Sequence, residues 1–176
     1  MRIETLKEEE KKYILESVNK ASLWDKEFII YQWYESNFND SNFESKFKII
    51  FDIKNVAMKA VRVEKKRIIH RASEKKVYYL EFDEIKLCTL LNKPFVAKRR
   101  SIKDNLFLDR FLKSNNKCKY MLEVENQDSV KSIESLEFKI LKCVTEDDSY
   151  LNRNMTILFS TNDLIELELL IKCFMR

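Results

Sequence analysis

Short runs in which apolar and polar side chains alternate dominate the chain. They read "EFIIYQWY" (27–34), "SKFKIIFDI" (45–53), "AMKAVRVEKKRII" (57–69), "KVYYLEFDEI" (76–85), "PFVAKRRSI" (94–102), "NLFLDRFL" (105–112), "KYMLEVEN" (119–126) and "LEFKILKCV" (136–144). A period of two, rich in β-branched and aromatic residues and broken by polar turns, predicts strands in a meandering antiparallel sheet or barrel. Two segments read otherwise. After the capping residues Ser160 to Asp163, Leu164, Leu167, Ile171 and Phe174 recur at helical spacing, predicting a C-terminal helix over about 162–175. "EIKLCTLLN" (84–92) reads as a short helix ended before Pro94, because the residue preceding proline disfavours helix.

The strands sort their charges by face. Residues two apart share one side of a strand, so Lys46 and Lys48 project together, opposite Phe47, Ile49 and Phe51. Lys98 and Arg100 likewise share a face, as do Glu81 and Asp83, and Glu123 and Glu125. In a flat sheet such faces are merely solvated. In a barrel with its apolar faces outward under helices, they line a charged tunnel. A triphosphate needs clustered Lys and Arg, and a hard divalent cation beside it needs carboxylate oxygens, so such a tunnel suits both.

Composition narrows the chemistry. With 176 residues, 45% of them hydrophobic, the chain is long enough for one well-buried core, and a single domain over 1–176 is expected. Glycine is absent, which excludes a P-loop and a dinucleotide-binding fingerprint, so any phosphate must be held by side chains. His70 is the one histidine, leaving little material for Ser-His or Cys-His nucleophiles, and it reads as a solvated residue in a basic turn. Cys88, Cys118, Cys143 and Cys173 are scattered without a C-x-x-C pair and read as buried, reduced thiols. The net charge of +4 arises from 33 basic against 29 acidic residues, so a nucleic-acid partner is not favoured. No apolar run spans a bilayer and "MRIETLKEEEKK" lacks a signal peptide's regions, so a cytoplasmic protein without a membrane partner is expected.

These residues resemble the CYTH, or triphosphate tunnel metalloenzyme, superfamily. "EEEKKY" resembles its E-x-E-x-K signature through Glu8, Glu10 and Lys12, and "IYQWY" its I-x-Q-x-Y strand. "SKFKI" stands where the family has R-x-R, "LEFDEI" resembles the middle E-x-E, and "VAKRRS" its K-x-R. "LDRF" resembles its D-x-F through Asp109 and Phe111, and "LEVEN" its late E-x-E. "VTEDDSYLNRNM" resembles V-T-x-D-x-x-Y-x-N-x-x-L through Val144, Thr145, Asp147, Tyr150, Asn152 and Met155. The pieces follow the family's order from residue 8 to about 156. Departures accompany them: Tyr79 replaces a usual arginine, Asp83 a glutamate, and Lys46 and Lys48 two arginines. Phe107 stands at an often acidic position, and Asp148 and Ser149 at often basic ones.

The resemblance implies an α+β, mainly β architecture: a closed eight-stranded antiparallel β-barrel with a few flanking helices. It implies Mg²⁺ or Mn²⁺ held by Glu8, Glu10, Glu123, Glu125 and Asp109, and phosphate held by Lys46, Lys48, Arg62, Lys98 and Arg100. Lys12, Glu81 and Asp83 would serve the chemistry. The ligand would be a triphosphate-bearing small molecule or inorganic polyphosphate, and the C-terminal helix could cover the barrel or meet a second copy in a homodimer. Metal-dependent triphosphate hydrolysis leads; cyclisation of ATP, as in class-four adenylyl cyclases, and binding without catalysis are the alternatives. Two local points stay open. Ile3, Leu6, Tyr13, Ile14, Val18 and Ala21 also fit a helical stripe over 3–20, against a strand over 6–15. The inward base of 57–71 could be Lys59, Arg62, Lys65 or Arg71, Arg62 because Val61 and Val63 flank it on the opposite parity.

Overall fold

In the computed structural model, which describes residues 6–18, 24–35, 43–69, 72–125 and 138–175, the alternating runs form strands of one antiparallel sheet. The strands are β1 (Leu6–Ser17), β2 (Lys26–Tyr34), β3 (Phe43–Asp52), β4 (Ala57–Ile69), β5 (Ala72–Leu80), β6 (Pro94–Lys103), β7 (Leu106–Lys113), β8 (Tyr120–Glu125), β9 (Lys139–Cys143) and β10 (Ile157–Leu158). A single α-helix among these residues, α1 (Thr161–Phe174), follows them. The class is therefore α+β and mainly β. The sheet runs β6-β2-β3-β4-β5-β1-β8-β7, and a further ladder pairs β7 with β6. β9 pairs with the second half of β1, and β10 with the start of β6.

The first segment is strand rather than helix. Its alternation lets β1 exchange hydrogen bonds with β5, β8 and β9, partners that an isolated amphipathic helix would forgo. Residues 84–92 do not form the expected helix: two short 3-10 turns, Phe82–Glu84 and Leu87–Leu90, carry the chain to Pro94, and Leu90 is buried. In a chain without glycine, the left-handed positions fall to Val56, Asn92, Asp104 and Asn116, with φ of 48°, 61°, 50° and 62°. Asn and Asp tolerate that region; Val56, being β-branched, is strained there.

One face of the strands builds the core. Tyr31 and Trp33 of β2, Phe47, Ile49 and Phe51 of β3 and Phe95 of β6 cluster with Phe159, Leu167 and Ile171. The edge of Phe159 meets the rings of Trp33 at 5.1 Å and Phe95 at 4.8 Å. This is where α1 lies. Its stripe Leu164, Leu167, Ile171 and Phe174 packs on the sheet as the spacing predicts, and each fully buried Leu or Ile contributes about 1.5–3 kcal/mol. The helix starts in a capping box, in which Ser160 Oγ accepts from the Asp163 N–H and the Asp163 carboxylate accepts from the Ser160 N–H. The same outward face of β1, β7 and β8 carries Leu15, Leu106, Leu108, Leu122 and Val124, covered by Trp24 and Phe138. Of the cysteines only Cys118 is buried, and all four are free thiols.

Candidate functional site

Residues directly opposite in an antiparallel ladder share a face, so register decides which side chains meet. The inner face follows the ladders from strand to strand. Gln32 faces Lys48, Lys46 faces Val63, and Lys65 faces Lys75. Ser73 opposes Glu8, Glu10 opposes Glu125, and Lys12 opposes Glu123. Glu123 then opposes Phe107, Asp109 opposes Arg100, and Lys98 opposes Ile30. A cavity of ≈ 130 Å³ opens on this face, room for several waters. Eight Lys and Arg side chains line it against four glutamates.

One wall is a connected ion-pair network. The Asp109 carboxylate, wholly buried, accepts from Arg100 Nε and Nη2 at 2.6 Å each and from Lys98 Nζ. Arg100 also donates to Glu123, whose other oxygen lies 3.6 Å from Lys12 Nζ. Glu10 lies 3.1 Å from Lys12 and 3.6 Å from Lys65. Burial opposes the charge on Glu123, but Arg100 and Lys12 outweigh it and hold the carboxyl well below its ordinary range. Burial also opposes the charge on Lys12, yet Glu123 and Glu10 raise it above an ordinary lysine. At Lys98 burial and Arg100 win over Asp109, and its pKa falls.

The facing wall is poorer in anions. Glu44 pairs with Lys46 at 2.5 Å, and although burial would raise its pKa, Lys46 brings it down to about 2. Lys48 has no hydrogen bond or ion pair among the described residues. Burial first, then Lys46, Lys75, Lys98 and Arg100, drive its pKa well below an ordinary lysine's. Leu151, Asn152 and Arg153 complete the lining, and Met155, just beyond them in the chain, buries itself among Tyr34, Val96, Phe111, Cys118 and Met121.

The "VTEDDSYLNRNM" segment supplies these lining residues and also anchors β1. The Lys12 N–H donates to Thr145 Oγ1 at 3.0 Å and the Val144 N–H donates to the Lys12 carbonyl at 2.8 Å, fixing the strand that presents Lys12. Asp147 accepts from the Ser149 N–H and starts the turn that delivers Asn152, whose Oδ1 is buried with no partner among the described residues.

Of the candidates read from the sequence, Glu10, Lys12, Lys46, Lys48, Lys98, Arg100, Glu123 and Glu125 line the cavity, with Asp109 directly behind Lys98 and Arg100. Glu8 lies in β1 on the same parity, but its side chain is outside the described set. Arg62 is not inward. It stands opposite Phe47, is about half exposed and pairs with Glu35 at 2.8 Å, because register puts Val61 and Val63 on the inner face and makes Lys65 the inward base of β4. Arg71 and His70 lie outside the described residues, and Lys59, exposed at the far end of β4, stacks on Tyr79. Glu81 and Asp83 are exposed and lie beyond the end of β5, because the chain leaves the sheet after Leu80. Asn152 of the "VTEDDSYLNRNM" motif and Lys65, one of the alternatives in 57–71, also line the cavity, together with Glu44, Lys75 and Arg153, which the sequence did not single out. Glu44 could have been found by extending the parity of Lys46 and Lys48 back along β3, whereas Lys75 is placed only by the ladder of β5 with β4.

The carboxylates test whether a divalent metal fits. Glu10, Glu123, Glu44 and Asp109 are each held by Lys or Arg, and no group of three or more acid, His or Cys side chains able to hold a metal ion gathers among the described residues. These residues by themselves do not make the expected metal site. None of the described helices is long and apolar enough to cross a membrane.

No family model and no curated protein sequence matches the chain. Solved structures do. The crystal structure of the inorganic triphosphatase NE1496 superposes with a TM-score of 0.50 at 14% identity, covering 84% of this chain and 92% of that one. A second structure of NE1496, described as a hypothetical protein, gives 0.50 at 16%, covering 84% and 95%. The PH1819 protein from Pyrococcus horikoshii OT3 gives 0.52 at 13%, covering 82% and 94%. The chain shares the fold of these structures.

Proposed function

We propose that the sheet curls into a tunnel-like site that binds the triphosphate end of a small molecule, or inorganic tripolyphosphate, and hydrolyses a phosphoanhydride bond. The observation that carries this reading is the cavity's charge: eight Lys and Arg side chains against four glutamates, on the inner face of a glycine-free sheet. Phosphate here is held by side chains or not at all. The fold of an inorganic triphosphatase supports the same ligand class.

Each wall would contribute differently. Arg100, aimed by Asp109 and Glu123, and Lys12, aimed by Glu10 and Glu123, form a fixed donor set that needs no rearrangement when charge develops on the leaving phosphate. Lys46 and Lys48 face them across the cavity and hold the rest of the phosphate chain. Glu123 stays ionised between its cations and acts as an orienting group, not a proton acceptor.

Phosphate release from tripolyphosphate, ATP and thiamine triphosphate, each with Mg²⁺, Mn²⁺ or EDTA, tests hydrolysis. Turnover of any of them, lost in Arg100→Ala, supports it; ATP giving cyclic AMP instead would replace it with a cyclase. A specific observation favours binding without catalysis as the second reading: Glu81 and Asp83 lie off the cavity, and the described inner carboxylates are paired. Tripolyphosphate binding with no release under any metal would establish that reading.

A further inference from the structure

Four inner carboxylates whose side chains are described are committed to protein cations. Glu123 lies between Lys12 and Arg100, Glu10 between Lys12 and Lys65, Glu44 against Lys46, and Asp109 between Lys98 and Arg100. Glu125 has an interaction of its own, and the side chain of Glu8 lies outside the described set. Among the described lining residues eight Lys and Arg stand against four glutamates, so basic groups remain in excess once these pairs are formed, and Lys48 is one that no carboxylate engages. This side chain faces Gln32 of β2 and Val61 of β4 across its ladders, and the charges around it come from Lys46, Lys75, Lys98 and Arg100. Burial and these like charges disfavour the charged form of Lys48, and an anion in the cavity would restore it. Among the described residues, what stays unmatched is basic, so the site calls for an anion.

We infer that the cavity takes up polyphosphate as the free anion, without a divalent metal, and that Lys48 is the residue whose missing counter-charge the ligand supplies. This rests on the triphosphate reading above and concerns binding, with turnover read separately. A divalent cation riding on the phosphates cancels part of the charge the cavity needs and competes with Lys48 and Arg100 for the same oxygens. To release protein carboxylates for such a cation, the Glu123 pairs with Arg100 and Lys12 would have to break while remaining buried.

Calorimetric titration of tripolyphosphate into the full chain, in EDTA and in excess Mg²⁺, tests the inference. The expected result is binding in EDTA as tight as in Mg²⁺ or tighter, and an affinity about tenfold or more weaker for Lys48→Met in EDTA. Lys48→Arg should restore most of the lost affinity, and the unfolding midpoint of Lys48→Met should match or exceed the parent's, which separates lost binding from lost folding. Binding that weakens or disappears in EDTA overturns the inference while leaving the triphosphate reading intact. So does a Lys48→Met protein that binds like the parent. Binding in neither buffer removes the triphosphate reading itself, and this inference with it.

Discussion

The two faces of β2, β3 and β6 are built from the same strands and do opposite work. Outward, Tyr31, Trp33, Phe47, Phe51 and Phe95 form an aromatic layer sealed by α1. Inward, Gln32, Lys46, Lys48, Lys98 and Arg100 face a cavity. Apolar packing is non-directional and gains from area, so the outer face stabilises the fold whatever the ligand. The inner face gains only where charges are matched, which makes the wall of Asp109, Arg100 and Glu123 self-sufficient and the wall of Lys48 dependent on something else. Fold and function can be perturbed separately because a strand's period of two keeps them on opposite sides.

The largest effect should come from the one inner residue that belongs to the fold. Asp109→Ala leaves Lys98 and Arg100 buried without their shared carboxylate and should cost about 3–5 kcal/mol, read by denaturant unfolding. A loss comparable to a surface substitution would mean that this wall is open to water and the contrast between walls is wrong. On the outer face, Leu167→Ala should cost about 2–5 kcal/mol while leaving tripolyphosphate affinity unchanged, provided the protein is kept below its lowered unfolding midpoint. A parallel fall in affinity would show that the faces are coupled.

Acid should expose the facing wall. Glu44 is lowered to about 2, so its stabilising contribution is fully present above its ordinary carboxylate range and is lost as pH falls toward 2. Glu44→Gln should therefore flatten the fall in stability across that acid window. A variant whose acid limb overlays the parent's would place Glu44 in ordinary solvent. The smallest effect is expected at Arg62. Its pair with Glu35 is about half exposed, so Arg62→Ala should change stability by about 1 kcal/mol or less and phosphate binding not at all. A marked loss of affinity would return Arg62 to the inner face.

Much of the site was legible from parity. Lys46 and Lys48, Lys98 and Arg100, and Glu123 and Glu125 were paired on faces by spacing alone, and all six line the cavity. Parity fails where a face has no charge to mark it. Val61 and Val63 suggested an apolar outside to β4, yet they pack inward with Val77, and Arg62 went to solvent instead. It fails again where a strand ends: Glu81 and Asp83 share a parity on paper, but the chain turns into 3-10 helix at Phe82 and the pattern no longer points anywhere. Residues 84–92 carried enough apolar side chains for a helix, and only two turns formed because Leu90 is drawn into the core just before Pro94.

By itself the sequence determined the element types and the sorting of charge along each strand, because alternation is a local property of backbone geometry. It also determined that phosphate would have to be met by side chains, since without glycine the backbone cannot approach it. The tertiary structure alone decided which strands became neighbours. Register, set between segments far apart in the chain, placed Lys12 opposite Glu123 and Arg100 opposite Asp109, and put Lys48 opposite Gln32 and Val61, which offer it no counter-charge. Charge balance at a site is a sum over such neighbours, and no single strand contains it.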